Sequence, residues 1–337
     1  MKKKLKIALI FGGKSVEHEV SLMSAKNVAE AMDKSKYSIL YIGIDKKGRW
    51  FRCDSSLKIK GKEISPFDIK ADVAFPILHG PYGEDGTIQG LLKLNNIPFV
   101  GSSILGSSVG FDKDVTKRLL TKAGIANTKF LTFKRGDKIS FDEVIKNLGN
   151  VVIVKPANSG SSVGVNKAEN EKEFNFAIRD AFKFDTKIII EQFIQNKKEI
   201  ECAVLGNEDP KASVCGEVIT QKDHKFYSYQ AKYLDEDGAL LVVPAKIPKL
   251  LQKKIQKLSI EVFKILELEG MSRIDFLIKG KKILVNEINT IPGFTNISMY
   301  PMLWKESGIS YSKLIDKLIN LAIKRYKRDQ KLRTSYD

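Results

Sequence analysis

Ser272-Arg273-Ile274-Asp275-Phe276-Leu277-Ile278 and Lys282-Ile283-Leu284-Val285-Asn286-Glu287-Ile288-Asn289 are joined by Lys279-Gly280-Lys281. They read as two strands of a β-hairpin. Alternate strand residues share a face. Arg273 and Asp275 therefore point one way, as do Glu287 and Asn289. A three-residue loop can set both pairs on one face, in a register the sequence leaves open. Two carboxylates and an amide oxygen beside an arginine form a hard-oxygen site suited to Mg2+. With a nucleotide present, such a site clamps transferring phosphate. The plain alternative is a solvated polar face. The apolar opposite faces, Ile274/Phe276/Ile278 and Leu284/Ile288, speak against it.

Beyond the hairpin, Thr290-Ile291-Pro292-Gly293-Phe294-Thr295 leaves the strand as a turn. Gly293 can present its N–H unobstructed and, with Arg273, stabilise a developing oxyanion. A purely structural Pro-Gly turn is the other reading. Upstream, Lys155-Pro156-Ala157-Asn158-Ser159-Gly160-Ser161-Ser162-Val163-Gly164 ends a strand in a loop of small residues. Its amides and hydroxyls suit phosphate, with Lys155 as a point charge. Near the start, Gly12-Gly13-Lys14-Ser15 superficially suggests a P-loop. The required first glycine falls at Ala8, so the motif fails. A glycine turn at a strand's carboxyl end remains, where open α/β sheets bind ligands. A carboxylate there, such as Glu17, can hold a substrate ammonium.

The surrounding chain supports this placement. Its 337 residues predict more than one domain. Apolar runs at residues 6–11, 38–44, 72–77 and 97–100 alternate with a helix at 21–32 that Ser21 is expected to cap. This predicts a parallel sheet covered by helices in an α/β domain over 1–101. Helices at 112–123, after the Ser140-Phe-Asp-Glu143 capping box and at 171–182, with strands at 151–155 and 187–191, make a second unit over 102–195. A third covers 196–337, with helices at 250–268 and 312–328.

No apolar run approaches a membrane span. The basic start is followed by five apolar residues, 7–11, and reads as a first strand rather than a signal peptide. Cys53, Cys202 and Cys215 fit neither a disulfide framework nor a zinc site, and read as reduced cytosolic thiols. His18, His79 and His224 lie too far apart for a histidine metal cage. The net charge of +17 invites a nucleic-acid reading. The lysines are dispersed, however, and no finger or aromatic-basic motif appears. An anionic nucleotide also benefits from the positive field.

Together these pieces resemble the ATP-grasp superfamily. Within it, three motifs are similar to those of D-alanine–D-alanine ligases: Gly12-Gly13-x-Ser15-x-Glu17-His18-Glu19-Val20-Ser21, His79-Gly80-Pro81-Tyr82-Gly83-Glu84-Asp85-Gly86, and Asn286 through Thr295. The ordered set covers nearly the whole chain. The resemblance implies a Rossmann-like parallel-sheet domain followed by a two-lobed ATP-grasp fold of α+β lobes. It implies a cytoplasmic, homodimeric enzyme that joins two D-alanines through an acyl-phosphate for cell-wall synthesis, using ATP and Mg2+ (or Mn2+).

It also implies roles at matching positions. Glu17 would hold the first D-alanine's ammonium, with Ser161 and Tyr233 completing a hydrogen-bonded set and His79 in the substrate pocket. Lys113 and Lys155 would bind phosphate. Glu191-Gln192-Phe193-Ile194 would be the hinge that reads adenine, with Glu199 on the ribose. Asp275, Glu287 and Asn289 would hold metal, and Arg273 and Gly293 would form the oxyanion hole. Lys232 would face the transferred phosphoryl group from a lid over 221–237. Ser298 and the Met299 amide would clamp the second carboxylate.

Gln195-Asn196-Lys197-Lys198 is longer than the turn of many relatives, which leaves Glu201 as an alternative to Glu199. Competing functions are a depsipeptide ligase using D-lactate, another ATP-grasp ligase, or a nucleic-acid-binding protein. The intact Tyr229-Gln-Ala-Lys232-Tyr233 favours the dipeptide.

Overall fold

The computed structural model describes residues 3–220, 239–333 and 335–336. The expected lid, with Lys232 and Tyr233, lies outside them. The apolar run at residues 7–11 is buried on both faces because its strand is internal. This strand, β1 (Leu5–Gly12), lies between β2 (Tyr37–Ile44) and β5 (Val73–Pro76), parallel to both. The antiparallel strands β3 (Trp50–Cys53) and β4 (Lys62–Glu63) extend the far edge. The run at 97–100 adds only an isolated bridge between Ala74 and Phe99. Pro98 has no N–H with which to continue a ladder.

Helix α1 (His18–Ala31) starts before Ser21, which is therefore not its cap. The Ser21 hydroxyl instead donates to the Ile77 carbonyl and accepts from the Gly12 N–H, fastening the helix to the strand ends. Helices α2 (Thr87–Leu94), α3 (Ile104–Phe111) and α4 (Lys113–Lys122) follow. Asp112 caps α4 by accepting from the Val115 N–H at 3.1 Å.

The central sheet runs β6 (Phe130–Lys134), β9 (Lys187–Gln192), β7 (Val152–Pro156), β8 (Asn166–Ala168), antiparallel throughout. It packs on α5 (Phe141–Leu148), capped by Ser140 as expected, and on α6 (Glu171–Ala181). The last sheet is antiparallel, in the order β12 (Ala239–Val242), β11 (Lys211–Thr220), β10 (Lys198–Gly206), β13 (Gly270–Lys279), β14 (Lys282–Asn289). Helix α7 (Lys249–Ile265) covers its inner face, and α8 (Met299–Glu306) and α9 (Tyr311–Asp329) close the chain.

One core joins the first sheet to the last lobe: Ile7, Leu9 and Phe75 share it with Phe294, Tyr300 and Leu318. Phe294 meets the Phe75 ring edge-on at 6.1 Å. Burying such a ring is worth about 2–3 kcal/mol. Arg325 on α9 adds a polar clasp. Its buried guanidinium donates to the Gly101 and Phe99 carbonyls and stacks 4.4 Å from the Phe99 ring. Arg325→Met leaves both acceptors without that donor. It should cost about 2–4 kcal/mol in urea unfolding. A loss under about 0.5 kcal/mol would remove the clasp from the account.

Candidate active site

The hairpin brings its polar residues together by a route different from the expected one. The turn has two residues, because Lys279 pairs directly with Lys282. That register alone would set Asp275 opposite Asn286. A bulge between Asp275 and Phe276 corrects the parity, so Asp275 pairs with Glu287 and Arg273 with Asn289. Val285 and Ile288 then share the core with Ile274, Phe276 and Ile278. Leu284, expected on that apolar face, pairs with Leu277 instead and is outside this core. Glu201 joins from β10, directly opposite Asp275.

Arg273 gathers these carboxylates. Its Nε and Nη2 donate to the two oxygens of Asp275 at 2.8 and 2.7 Å, and Nε lies 2.9 Å from Glu201 Oε2. The Asn289 amide donates to Asp275 Oδ2 at 3.0 Å. Among the described residues, no three His, Cys, Asp or Glu side chains gather as metal ligands. Two facing carboxylates and one amide remain. They are a fitting oxygen set for Mg2+ only if nucleotide phosphates complete the shell.

Above Arg273 lies a cavity lined by Glu17, His79, Ser161, Gly293, Ser298 and Met299, among others. Glu17 is 5 % exposed. Its Oε1 accepts from the Ser161 hydroxyl, reached across the small-residue loop. Its Oε2 has no hydrogen-bond partner among the described residues. A Cβ at Gly80 or Gly160 would come within 2.7 or 2.8 Å of that oxygen, so both glycines keep it open. Ser161 and Ser162 hold left-handed φ values of 48° and 60°. Strain of this kind in non-glycine residues is concentrated at functional loops. At the cavity's other end, Ser298 leads into α8, whose first amides suit a carboxylate.

The loop at residues 290–294 is tied to the first domain. Glu84 accepts from the Gly80 and Ile291 N–H groups at 2.9 and 3.0 Å. Burial, then the nearby Glu17 carboxylate, push the Glu84 carboxyl up to about 8, against those two donors and Lys113. His79 Nδ1 lies 3.0 Å from the Ile291 carbonyl, and Nε2 lies 3.1 Å from Ser24 Oγ. This network assigns the proton to Nδ1, with Ser24 donating to Nε2.

Burial holds His79 below the usual histidine range despite the pull of Glu17. The unfolded chain takes up a proton near 6.5, while the folded chain resists it. The His79 contribution to stability therefore falls on acidification below that point, while the raised Glu84 carboxyl contributes in the opposite direction over the same range. Between about pH 7.5 and about pH 5.5 in urea unfolding, the unaltered protein should therefore lose more stability, or gain less, than His79→Gln, in which the Glu84 contribution is retained. An equal slope in both proteins would refute the assignment.

A second cavity opens between the central sheet and β13/β14. Its walls include Lys113, Lys155, Glu191, Phe193, Ile194, Glu199 and Glu287. Lys155 Nζ meets Glu191 Oε2 at 2.9 Å. Burial lowers the Lys113 ammonium below its ordinary range, with Glu287 pulling back. Glu199 lines this cavity, whereas Glu201 lines the Glu17 cavity. Two lysines, the strand end at Glu191 and the hairpin carboxylate Glu287 thus converge on one cleft, next to the cavity that holds the buried Glu17 carboxylate.

Two family models match the chain. Residues 6–102 match the one described as D-ala D-ala ligase N-terminus, and residues 119–320 the one described as D-ala D-ala ligase C-terminus. A D-alanine–D-alanine ligase of Oceanobacillus iheyensis is 48 % identical, the match covering 98 % of this chain and 99 % of its own. This chain belongs to the D-alanine–D-alanine ligase family.

The D-alanine–D-alanine ligase of Coxiella burnetii superposes with a TM-score of 0.86 at 37 % identity, covering 97 % and 98 % of the two chains. The VanG D-Ala:D-Ser ligase of Enterococcus faecalis gives 0.85 at 37 %, covering 95 % and 100 %. The family's ATP-grasp fold accounts for the two lobes that flank the second cavity.

In this ligase fold the structure unites the expected residues into two adjoining groups. Glu17, His79, Ser161, Arg273, Asn289, Gly293, Ser298 and Met299 line one cavity, and Lys113, Lys155, Glu191, Phe193, Ile194, Glu199 and Glu287 the other. Asp275 joins the two through Arg273 and Glu287. Sequence reasoning assigned nothing to Glu84 or Lys117. Glu84 stands inside a quoted motif, and Lys117 follows Lys113 by one helical turn. Both signals were present.

Proposed function

We infer that this enzyme ligates two D-alanines to D-alanyl-D-alanine for peptidoglycan synthesis, converting ATP to ADP and phosphate. The observation carrying this reading is the buried Glu17 Oε2, open at one end of a cavity that ends in a helix N-terminus. It offers one site for an ammonium and another for a carboxylate.

The first carboxylate attacks the γ-phosphorus, the bond to ADP breaks, and an acyl-phosphate forms. The second amine then attacks the acyl carbon, and phosphate leaves. Lys113 and Lys155 hold the phosphates. Glu191, Phe193 and Ile194 hold the base, and Glu199 the ribose. Arg273 and the Gly293 N–H offset negative charge as it develops on the carbonyl oxygen. Ser298 and the Met299 amide hold the second carboxylate. Asp275, Glu287 and Asn289 would hold Mg2+ (or Mn2+), which when bound neutralises phosphate charge. Lys232 and Tyr233, outside the described residues, would belong to a lid that keeps water from the acyl-phosphate. The exposed Val16 and Met23 of the first domain suit a homodimer contact.

The test is phosphate release from ATP with D-alanine alone, D-alanine plus D-serine, D-alanine plus D-lactate, and L-alanine, with products weighed by mass spectrometry. Release needing only D-alanine, with the dipeptide formed, supports the reading. A mixed product preferred over the dipeptide would replace the second substrate. No release with any D-amino acid would discard the named substrate.

A further inference from the structure

Lys117 has no part in the chemistry above. Its side chain is 1 % exposed and stands behind the wall of the second cavity, which Thr128 and Glu191 line and Lys117 does not. Its ammonium grips both. Nζ lies 3.0 Å from Glu191 Oε1 and donates to Thr128 Oγ1 at 2.6 Å. It also rests over the Phe130 ring, 5.5 Å from the centroid. Glu191 is thus held between two ammoniums, of which Lys155 lines the cavity and Lys117 does not.

A polyphosphate draws Lys155 toward itself. Lys117 then remains as the counter-ion of a carboxylate in a dry wall. Burial pushes Glu191 upward, but Lys117 and Lys155 outweigh it and hold the group below its ordinary value. An ionised carboxylate accepts only, so it takes a hydrogen bond from a 6-amino group and repels a 6-oxo group. We propose that Lys117 is a positioning residue that sets purine selectivity, fixing Glu191 as a carboxylate so that the cavity takes a 6-amino purine and rejects a 6-oxo purine. The proposal rests on the reading that Glu191 faces the base.

Without Lys117, the buried Glu191 takes up a proton more readily and becomes able to donate to a 6-oxo group. The test compares ATP with inosine triphosphate as substrates in D-alanine ligation by the full chain. Lys117→Met should raise KM for ATP about tenfold, with a smaller change in kcat, and cut the preference for ATP by about tenfold. On a Glu191→Gln background the same change should alter that preference by less than about threefold. Equal losses with both nucleotides, or a full additional loss on the Glu191→Gln background, would overturn the proposal. If Glu191→Gln alone leaves the ATP preference intact, the base reading itself fails and takes the proposal with it. Should Lys117→Met not fold, the neutral pair Lys117→Met/Glu191→Gln is compared with Glu191→Gln. Equal ATP preference supports the proposal, and a further fall overturns it.

Discussion

The Glu17→Gln variant should ligate D-alanine with kcat/KM reduced roughly a thousandfold, equivalent to about 4 kcal/mol. Glu17 is buried, and one oxygen is already occupied by the Ser161 hydroxyl. The other has no partner among the described residues and lies where glycines at 80 and 160 leave room. Glutamine keeps the shape but loses the charge that would meet an ammonium in a water-poor cavity. Burial makes that charge count for more than it would in water. Steady-state kinetics with D-alanine and ATP varied separately check this. KM for ATP should stay within about threefold, because Glu17 lines the other cavity. A loss under about fivefold in kcat/KM for D-alanine would remove Glu17 from the ammonium site.

Glu287→Gln should reduce kcat by about a thousandfold or more while the protein stays folded. Glu287 is directly opposite Asp275 and lines the cavity that holds Lys113 and Lys155. One hard carboxylate oxygen is replaced by an amide nitrogen, at the place where, on the proposed reading, phosphate charge would be neutralised. The side chain is not in the hydrophobic core, so unfolding should be little changed. Turnover titrated with Mg2+ is the measurement, with circular dichroism as the folding control. Activity retained at low Mg2+ would end the metal assignment.

Much of the site was legible because its chemistry is packed into short segments. Glu17 stands at the start of the helix that follows β1, and the loop from Lys155 to Gly164, the segment from Glu191 and the hairpin residues stand at strand ends or on strands. On the strands, residue type and period-two alternation point directly to a role, and at Glu17 the contiguous motif does so. The helix cap at Ser140 was legible for the same local reason. Ser21 misled because a serine at a helix start has two possible partners, the helix backbone or a neighbouring strand. Only packing against Gly12 and Ile77 selects the second.

The sequence by itself determined the order of elements, the family and most of the polar residues of both cavities, since each rests on local pattern or contiguous motif. The tertiary structure decided which of those residues meet. The bulge beside Asp275 set the hairpin parity, because every side chain beyond it changes face and no local propensity marks the extra residue. Glu199 and Glu201, two apart on one strand, fell to different cavities because the neighbouring strand sets Arg273 near one of them alone. Glu84 and Lys117 gained their partners, Ile291 and Glu191, from distant parts of the chain, 207 and 74 residues away. Burial then gave those contacts their strength, since desolvation acts only once the lobes have closed over them.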